Sequence, residues 1–215
     1  YFFWTSMREN SSEITKYIHI ARENHKKGNI YQANEIYKKL INQKIYTYEL
    51  LISYGLFCKE INNLNIAKNL FILSIKKYPS KINSYILLAE ILRKENKVND
   101  ALKTLYAAKK IEKSNSEIDY NLSISYKTIK SFRKAILSID SAIKLQPKNQ
   151  IYQILKADIL VEIFKNEEAK KLLVNLKLPN DSLLYFQKEI LISKIFINQK
   201  KYKLAEGVLL GLRKL

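Results

Sequence analysis

The sequence contains little glycine and proline. Glycine accounts for 4 of the 215 residues and proline for 3, which disfavours a sheet fold whose tight turns depend on them. Nearly half of the residues are apolar, enough to bury a core and too many for a disordered chain. Because lysine, leucine, isoleucine, glutamate and alanine are plentiful, the composition favours an almost wholly helical chain.

Cysteine and long apolar runs are also scarce. Cys58 is the only cysteine, so no internal disulfide can form, and a reducing compartment such as the cytoplasm is expected. It lies in a helical apolar run and is predicted to be a packing residue. The longest apolar runs, such as LFILSI at 70–75, are far shorter than a membrane span requires.

Acidic residues are outnumbered by basic ones, 20 to 38, for a formal net charge of +18. Such a charge suggests nucleic acid or an anionic surface as a partner. However, lysine outnumbers arginine 33 to 5, and isoleucine (30), asparagine (19) and tyrosine (15) are abundant as well. These four residue types share A/T-rich codons, so we interpret the charge mostly as background and keep nucleic-acid binding as an alternative.

Catalytic motifs are missing from the sequence. The two histidines, His19 and His25, lie six apart in one helix and point to different faces, unlike the i, i+4 pair of a metal site. There is no glycine-rich phosphate loop, no G-x-S-x-G and no H-E-x-x-H sequence. Glu167 and Glu168 are expected to favour a helix N-terminus electrostatically. The prediction is a chain without catalysis, metal or cofactor.

What the sequence does have is an internal repeat, marked by alanines. Steps of 34 residues link Ala33, Ala67, Ala101, Ala135 and Ala169, and Ala205 follows after 36. The chain has only 12 alanines, so this alanine comb is not expected by chance. Four residues after each is a large apolar residue: Tyr37, Phe71, Leu105, Ile139, Leu173 and Leu209. Twelve residues before each is a small one: Ala21, Gly55, Ala89, Ser123, Ala157 and Ser193.

Each repeat predicts two helices. In the third, 84–95 and 99–111 each carry an amphipathic stripe, and Asn96 and Lys97 separate them. Breaks recur at the same phase, and three residues there are expected to cap the second helix: Asn29, Asn63 and Ser131. Repeats end near Pro79, Pro147 and Pro179, because proline cannot continue a helix. The small residues are predicted to contact the comb alanines, so that the two helices approach closely.

A 34-residue helix–turn–helix with this pattern resembles the tetratricopeptide repeat (TPR). In the second repeat the matching residues are Leu51, Tyr54, Gly55, Cys58, Ala67, Phe71 and Pro79. The resemblance implies an all-α, right-handed superhelical solenoid of antiparallel helix pairs over 12–215, after a leader at 1–11. The expected repeats are 14–47, 48–81, 82–115, 116–149, 150–185 and 186–215. Asp119, Gln153 and Glu189 occupy the signature tryptophan position, so the last three repeats are expected to pack more loosely or in a shifted register.

The resemblance also implies that function lies in a concave groove that binds a protein or peptide. Counting the family's groove positions along the repeats predicts these site residues: Ile18, Arg22, His25, Ile52, Lys59, Ile86, Arg93, Tyr120 and Lys127. The isoleucines would form an aliphatic ladder, and an acidic partner would face the lysines and Arg93. The competing interpretation is that the ladder is core packing and that the lysines belong to a solvated basic surface.

The last predicted helix, about 202–215, carries five apolar residues: Leu204, Val208, Leu209, Leu212 and Leu215. Because repeat arrays need a polar cap, this end is expected to continue into further residues or to pack on another subunit. TPR arrays often precede an enzyme domain, such as a glycosyltransferase or sulfotransferase. A substrate-presenting or regulatory arm of a larger enzyme is therefore the first alternative to a binding scaffold, by family analogy.

Overall fold

A computed structural model describes residues 11–180 and 182–212, and this part of the chain is helical with no strand. Its helices, numbered here in chain order, are α1 (Ser11–Lys26), α2 (Ile30–Asn42), α3 (Tyr48–Glu60), α4 (Leu64–Lys77), α5 (Ile82–Lys94), α6 (Val98–Ile111), α7 (Ser116–Thr128), α8 (Phe132–Leu145), α9 (Gln150–Glu162), α10 (Asn166–Val174), α11 (Leu183–Asn198) and α12 (Tyr202–Leu212). The predicted all-α class and the two helices of the third repeat are confirmed. The leader at 1–11 and Leu215 lie outside the described residues, except for Ser11.

The turn between the two helices of a repeat has the same conformation each time. One residue there has a positive φ, between 56° and 81°: Gly28, Asn62, Asn96, Lys130, Phe164 and Lys200. In the second repeat Asn63 N donates to Cys58 O at 2.7 Å and Asn62 N to Lys59 O at 3.2 Å. This pair of bonds is the Schellman motif, which satisfies the last carbonyls of a helix and favours glycine or asparagine at its left-handed residue.

Side-chain capping only partly follows the prediction. Asn63 accepts a hydrogen bond from Ile66 N at 3.4 Å, whereas Asn29 and Ser131 hold the N-cap position without a side-chain bond to the helix that follows. The side-chain caps that sequence reasoning missed belong to first helices, at Thr47, Asn115, Asn149 and Ser182. These residues have extended backbone, the usual conformation of a capping residue. As predicted, Glu167 and Glu168 lie in the first turn of α10.

The alanine comb lies in the core, as predicted. The first five comb alanines are fully buried and Ala205 nearly so. In the fourth repeat Ser123 Oγ donates to Ala135 O at 2.9 Å, and in the sixth Ser193 Oγ donates to Ala205 O at 3.4 Å. At Gly55 a methyl group would lie 2.3 Å from Cε1 of Phe71. The small residue twelve places before each alanine therefore lets the paired helix, or its large side chain, approach closely.

The residues that replace the signature tryptophan are accommodated in the same register. Gln153 Nε2 donates to Pro147 O at 2.7 Å, as Tyr85 Oη donates to Pro79 O at 3.0 Å two repeats earlier. Asp119 is buried and forms an ion pair with Lys109. Because Ser123 and Ser193 keep the bond to the residue twelve places on, the expected register shift is wrong.

The chain divides into two compact units at Asn96 and Lys97, called unit 1 and unit 2. Unit 1 has an aromatic centre in which the rings of Tyr37 and Tyr54 stack at 5.0 Å, with Phe57 at 5.5 Å from Tyr37. Cys58 lies beside them, and burial raises the pKa of its thiol to about 11. A protonated, buried thiol is a packing residue, as predicted, and a poor nucleophile.

Candidate functional site

The three predicted ladder isoleucines of unit 1 are core residues. Ile18, Ile52 and Ile86 are all buried, and Ile18 and Ile52 belong to the main hydrophobic cluster of unit 1. They support the groove wall and offer a partner almost no surface. Their predicted contact with a partner stays a prediction.

The predicted groove cations of unit 1 are engaged by neighbouring helices. Arg22 Nη2 donates to Ser53 Oγ at 2.6 Å, and Nη1 lies 3.3 Å from Glu49 Oε1. Lys59 Nζ lies 2.6 Å from Glu90 Oε2.

His25 and Arg93 complete the predicted set in unit 1. The His25 ring packs edge-on against Phe57 at 5.0 Å between centroids, with Nε2 3.3 Å from Glu60 Oε2. Arg93 is half-buried on α5. The groove face of unit 1 therefore holds cations whose positions are set by hydrogen bonds and ion pairs within the protein, rather than a row of uncompensated positive charges.

Unit 2 holds the other two predicted residues. Tyr120 on α7 is half-buried and stacks on Tyr152 of α9, with ring centroids 5.0 Å apart. Lys127 forms an ion pair with Asp158 of α9, and its Nζ lies 3.9 Å from Glu162 Oε1. As in unit 1, a lysine at the end of one first helix is neutralised by the next first helix.

A cavity of about 310 Å³ opens beside Tyr120, between α9 and α11. We call this region the α9–α11 furrow. Its floor includes Ile154 and Leu191, which are buried, and its rim includes Ile190, whose side chain is 43% exposed. The complete lining is Tyr120, Ile151, Ile154, Leu155, Asp158, Gln187, Ile190, Leu191 and Lys194. The furrow is thus an apolar concavity with few polar groups, the usual chemistry of a binding site.

The furrow continues into a second cavity of about 220 Å³. Its walls include Val161, Ile197 and Phe164, the left-handed residue of the turn between α9 and α10. Lys194 lines both cavities and therefore lies between them.

Sequence reasoning missed this part of the site although the signals were present. Ile154 and Ile190 occupy the fifth groove position of their repeats, and Asp158 and Lys194 the ninth, but the predicted site ended at Lys127. Phe164 had a signal too. It stands at the same phase as Gly28, Asn62 and Asn96, where a bulky aromatic residue is unexpected.

A larger cavity of about 760 Å³ lies in unit 1 beside the α2–α3 connection. Its walls include Gln43, Lys44 and Lys77, none of which is a groove position, and Ile14 of the first turn of α1. Because residues 1–10 directly precede that turn and lie outside the described part of the chain, the candidate site is placed in unit 2.

The described residues contain no candidate metal site and no helix that could span a membrane. In residues 11–180 and 182–212, no group of three or more His, Cys, Asp or Glu side chains could hold a metal ion. None of the helices described is long and apolar enough to cross a membrane. The two cavities of the furrow present aliphatic and aromatic surface, the amides of Gln187 and Asn198, and the charges of Asp158, Glu162 and Lys194.

Comparison with known proteins identifies the fold. No protein-family model matches the sequence, and no curated protein matches it. Among solved structures, a tetratricopeptide repeat protein from Parabacteroides merdae ATCC 43184 is 12% identical with a TM-score of 0.77, over 98% of this chain and 81% of that one. PilF of Pseudomonas aeruginosa is 12% identical with a TM-score of 0.71, over 94% of this chain and 90% of that one.

A third structure, TTC0263, a thermophilic TPR protein of Thermus thermophilus, is 14% identical with a TM-score of 0.69. That match covers 83% of this chain and 98% of the other. At these identities the likeness concerns the fold alone. The chain has the tetratricopeptide-repeat fold, as the resemblance in its sequence predicted.

Proposed function

From the tetratricopeptide-repeat fold as premise, we propose that the chain is a protein-binding scaffold whose α9–α11 furrow takes a peptide segment of its partner. The observation that carries this proposal is the apolar cavity beside Tyr120, with Ile190 half-exposed on its rim. Exposed aliphatic side chains around a concave surface are what a docking peptide can cover. The proposal assigns the chain no catalysis and no cofactor of its own, and it keeps the cytoplasm as the compartment.

The expected affinity follows from the surface on offer. Ile151, Ile190 and Ile197 are each a little under half exposed, so covering one gains about 1 kcal/mol. Burying the partner's own apolar side chains in the furrow adds a similar amount for each. After the cost of immobilising a flexible peptide, the remainder corresponds to a Kd on the order of micromolar.

The ion pairs within the protein lower the affinity that an acidic partner could gain from the predicted groove lysines. Lys59 and Lys127 are already held by Glu90 and by Asp158. A carboxylate from a partner would have to compete with a neighbour that is part of the same protein, which weakens its contribution. In this proposal the first contacts of the partner are apolar and lie in the α9–α11 furrow of unit 2.

The test compares two isoleucines of similar exposure. Peptides are selected from a phage-displayed library of random dodecapeptides on the full chain, and their affinity is measured by fluorescence polarisation. Ile190→Glu, on the furrow rim, is expected to weaken binding at least about tenfold, because it buries a charge against the apolar segment. The matched control is Ile72→Glu on α4, where the side chain is 48% exposed, and it is expected to leave the affinity unchanged.

Circular dichroism establishes that both variants are folded. Equal affinities of the two folded variants would place the binding surface elsewhere and overturn the proposal. Nucleic-acid binding remains the alternative to be checked on the same protein by titrating a single-stranded RNA at several salt concentrations. Affinity that survives physiological salt would favour that alternative, because non-specific charge binding is lost there.

A further inference from the structure

Lys194 is the charged group that separates the two cavities of the furrow. It lies on α11, one turn beyond Ile190 and one turn before Ile197, and half of its side chain is exposed. Ile190 and Ile197 therefore flank it on both sides along the helix. The carboxylates of Asp158 and Glu162 each line one of the two cavities. Any segment that fills both cavities must pass this charge.

The ammonium group of Lys194 keeps donor capacity for a partner. Its Nζ lies 3.9 Å from Asp158 Oδ1, longer than a hydrogen bond. Lys127 holds the other oxygen of Asp158 by a closer ion pair and also faces Glu162. Asp158 is thus held by Lys127 and faces Lys194 at a longer distance, and Lys194, with half of its side chain exposed, is the cation in the lining of both cavities that an incoming acceptor can reach.

Phe164 marks the far end of the furrow. It has a φ of 60° and is 72% exposed, whereas a bulky side chain is disfavoured both at positive φ and in contact with water. The equivalent residues in unit 1 are Gly28, Asn62 and Asn96, which suit that backbone. A strained, exposed aromatic residue beside a cavity suggests a role in binding.

We propose that the furrow recognises an acidic residue placed between two large apolar residues of the partner. One apolar side chain fills the cavity beside Ile190, the carboxylate pairs with Lys194, and the second apolar side chain packs against Ile197 and Phe164. This inference rests on the proposed function and specifies the partner's chemistry. The net charge of +18 favours the approach of such a partner.

The carboxylate belongs to an aspartate or glutamate side chain and not to a chain end. Because a cavity lies on each side of Lys194, a segment that ended at this lysine would leave one cavity empty. Ile190 and Ile197 are seven residues apart on α11, about 10 Å along the axis. An extended segment covers that distance in about three residues and a helix in about seven, and the selected peptides will report which spacing applies.

The test uses the peptides selected on the full chain, synthesised with a free and with an amidated C-terminus. Lys194→Gln is compared with Lys103→Gln, which removes the same charge from α6, where the side chain is 80% exposed. Lys194→Gln is expected to weaken binding by about fivefold to tenfold, the usual effect of a charge-assisted contact, and Lys103→Gln by less than about twofold. Replacing the peptide's acidic residue by its amide should have the same effect as Lys194→Gln, with no further loss when both changes are combined.

A second variant tests the Phe164 end of the furrow. Phe164→Asn removes the ring and introduces a residue that suits positive φ. The control is Lys130→Asn, which introduces the same residue at the corresponding turn one repeat earlier. We expect Phe164→Asn to weaken binding by about threefold or more through lost apolar contact, and Lys130→Asn to leave binding unchanged.

The outcomes separate this inference from the proposed function. Selected peptides without an acidic residue, equal affinities of Lys194→Gln and Lys103→Gln, or loss of binding on C-terminal amidation would each overturn the carboxylate assignment. In those cases sensitivity to Ile190→Glu still supports the furrow as the binding site. If Ile190→Glu and Ile72→Glu bind equally well, both proposals fail.

Discussion

The predicted groove positions of unit 1 and unit 2 carry similar residues, but the ion pairs and cavities that these residues form are different. In unit 1 the isoleucines are buried, and Lys59 is paired with Glu90 at 2.6 Å. In unit 2 Lys127 is paired with Asp158 in the same way, but one first helix later the ninth position is Lys194 instead of an acid. There the pairing pattern stops, and an apolar cavity with an accessible cation opens.

Whether a lysine at a groove position is available to a partner therefore depends on the residue that the next first helix places against it. Lys59 and Lys127 are each the twelfth residue of a repeat, counted from 48 and from 116, and each is neutralised by an acidic ninth residue of the following repeat, Glu90 or Asp158. Where the twelfth residue is Val161 and the following ninth is Lys194, no such pair can form between them. Four changes to the two units should differ in their effect on the free energy of unfolding, and the change with the largest expected effect comes first.

The largest effect is expected from the close helix contact beneath the groove of unit 1. In Gly55→Ala the new methyl group overlaps Cε1 of Phe71, and the buried ring has little room to move. The free energy of unfolding should fall by about 1–3 kcal/mol, although alanine normally stabilises a helix interior over glycine by about 1 kcal/mol. Chemical denaturation measures the change.

Controls for Gly55 come from both units. Adding Phe71→Leu to Gly55→Ala should recover part of the loss, because the smaller side chain makes room. Ser123→Ala, at the same position in unit 2, removes only the hydrogen bond to Ala135 O and should cost about 1 kcal/mol. A Gly55→Ala variant more stable than the wild type would show that the helices are not in close contact here.

Alkaline pH should destabilise unit 1 before unit 2. Burial raises the pKa of Cys58 from 9.0 to about 11 and that of Tyr126, in unit 2, from 10.0 to about 12. Because the folded state holds the Cys58 proton more tightly, its stabilisation is complete below pH 9 and is lost between pH 9 and 11. The loss is on the order of 2 kcal/mol.

Denaturation at several pH values measures this loss, and Cys58→Ala should abolish the part between pH 9 and 10, below the range in which the buried tyrosines of both units contribute. The thiol itself provides a second measurement, because a protonated, buried cysteine should react slowly with a disulfide reagent at pH 8 until the protein is unfolded. Rapid reaction of the native protein would contradict the buried position of Cys58.

A smaller effect is expected from the ion pairs of the two grooves. A double-mutant cycle with Lys59→Gln and Glu90→Gln should give a coupling energy of about 1 kcal/mol, since both side chains are partly buried. The cycle with Lys127→Gln and Asp158→Asn should give less, because Lys127 keeps Glu162 at 3.9 Å when Asp158 loses its charge. Equal coupling energies would remove this distinction between the units.

The smallest effect is expected at the turns, and it should be stabilising. Phe164→Asn relieves a bulky residue at positive φ and gives up little packing, so the free energy of unfolding should rise by about 0.5–1 kcal/mol. Lys130→Asn, at the same position of another turn, should raise it by a similar or smaller amount. A destabilised Phe164→Asn variant would mean that the ring contributes to the core and not to a binding surface.

Much of the fold was predictable because it depends on local and periodic signals. The spacing from Ala33 to Ala169 predicted which residues are buried, and the polar breaks at Asn62 and Asn96 predicted the turns. The capping residues were only partly predictable, since the Schellman turn before α2 leaves Asn29 at the N-cap without a side-chain bond to that helix. Such details depend on how the preceding helix ends.

The candidate site was harder to predict than the fold. Tyr120 lines a cavity, whereas Ile18, Ile52 and Ile86 are too buried to present surface, and the contact of all four with a partner stays a prediction. Lys59 was predicted as a groove residue by its position in its own repeat, although its pairing joins it to Glu90, 31 residues later in the sequence. Whether two charges neutralise each other depends on how neighbouring repeats pack, and this cannot be read from the same position in successive repeats.

The ion pairs of the first helices do not all run in one direction along the chain. The positive member belongs to the earlier helix in Lys59 with Glu90 and in Lys127 with Asp158, whereas Lys194 lies on a later helix than Asp158. Asp158 is therefore contacted by cations from two other helices, Lys127 on α7 and Lys194 on α11, so its single negative charge is shared between two ammonium groups.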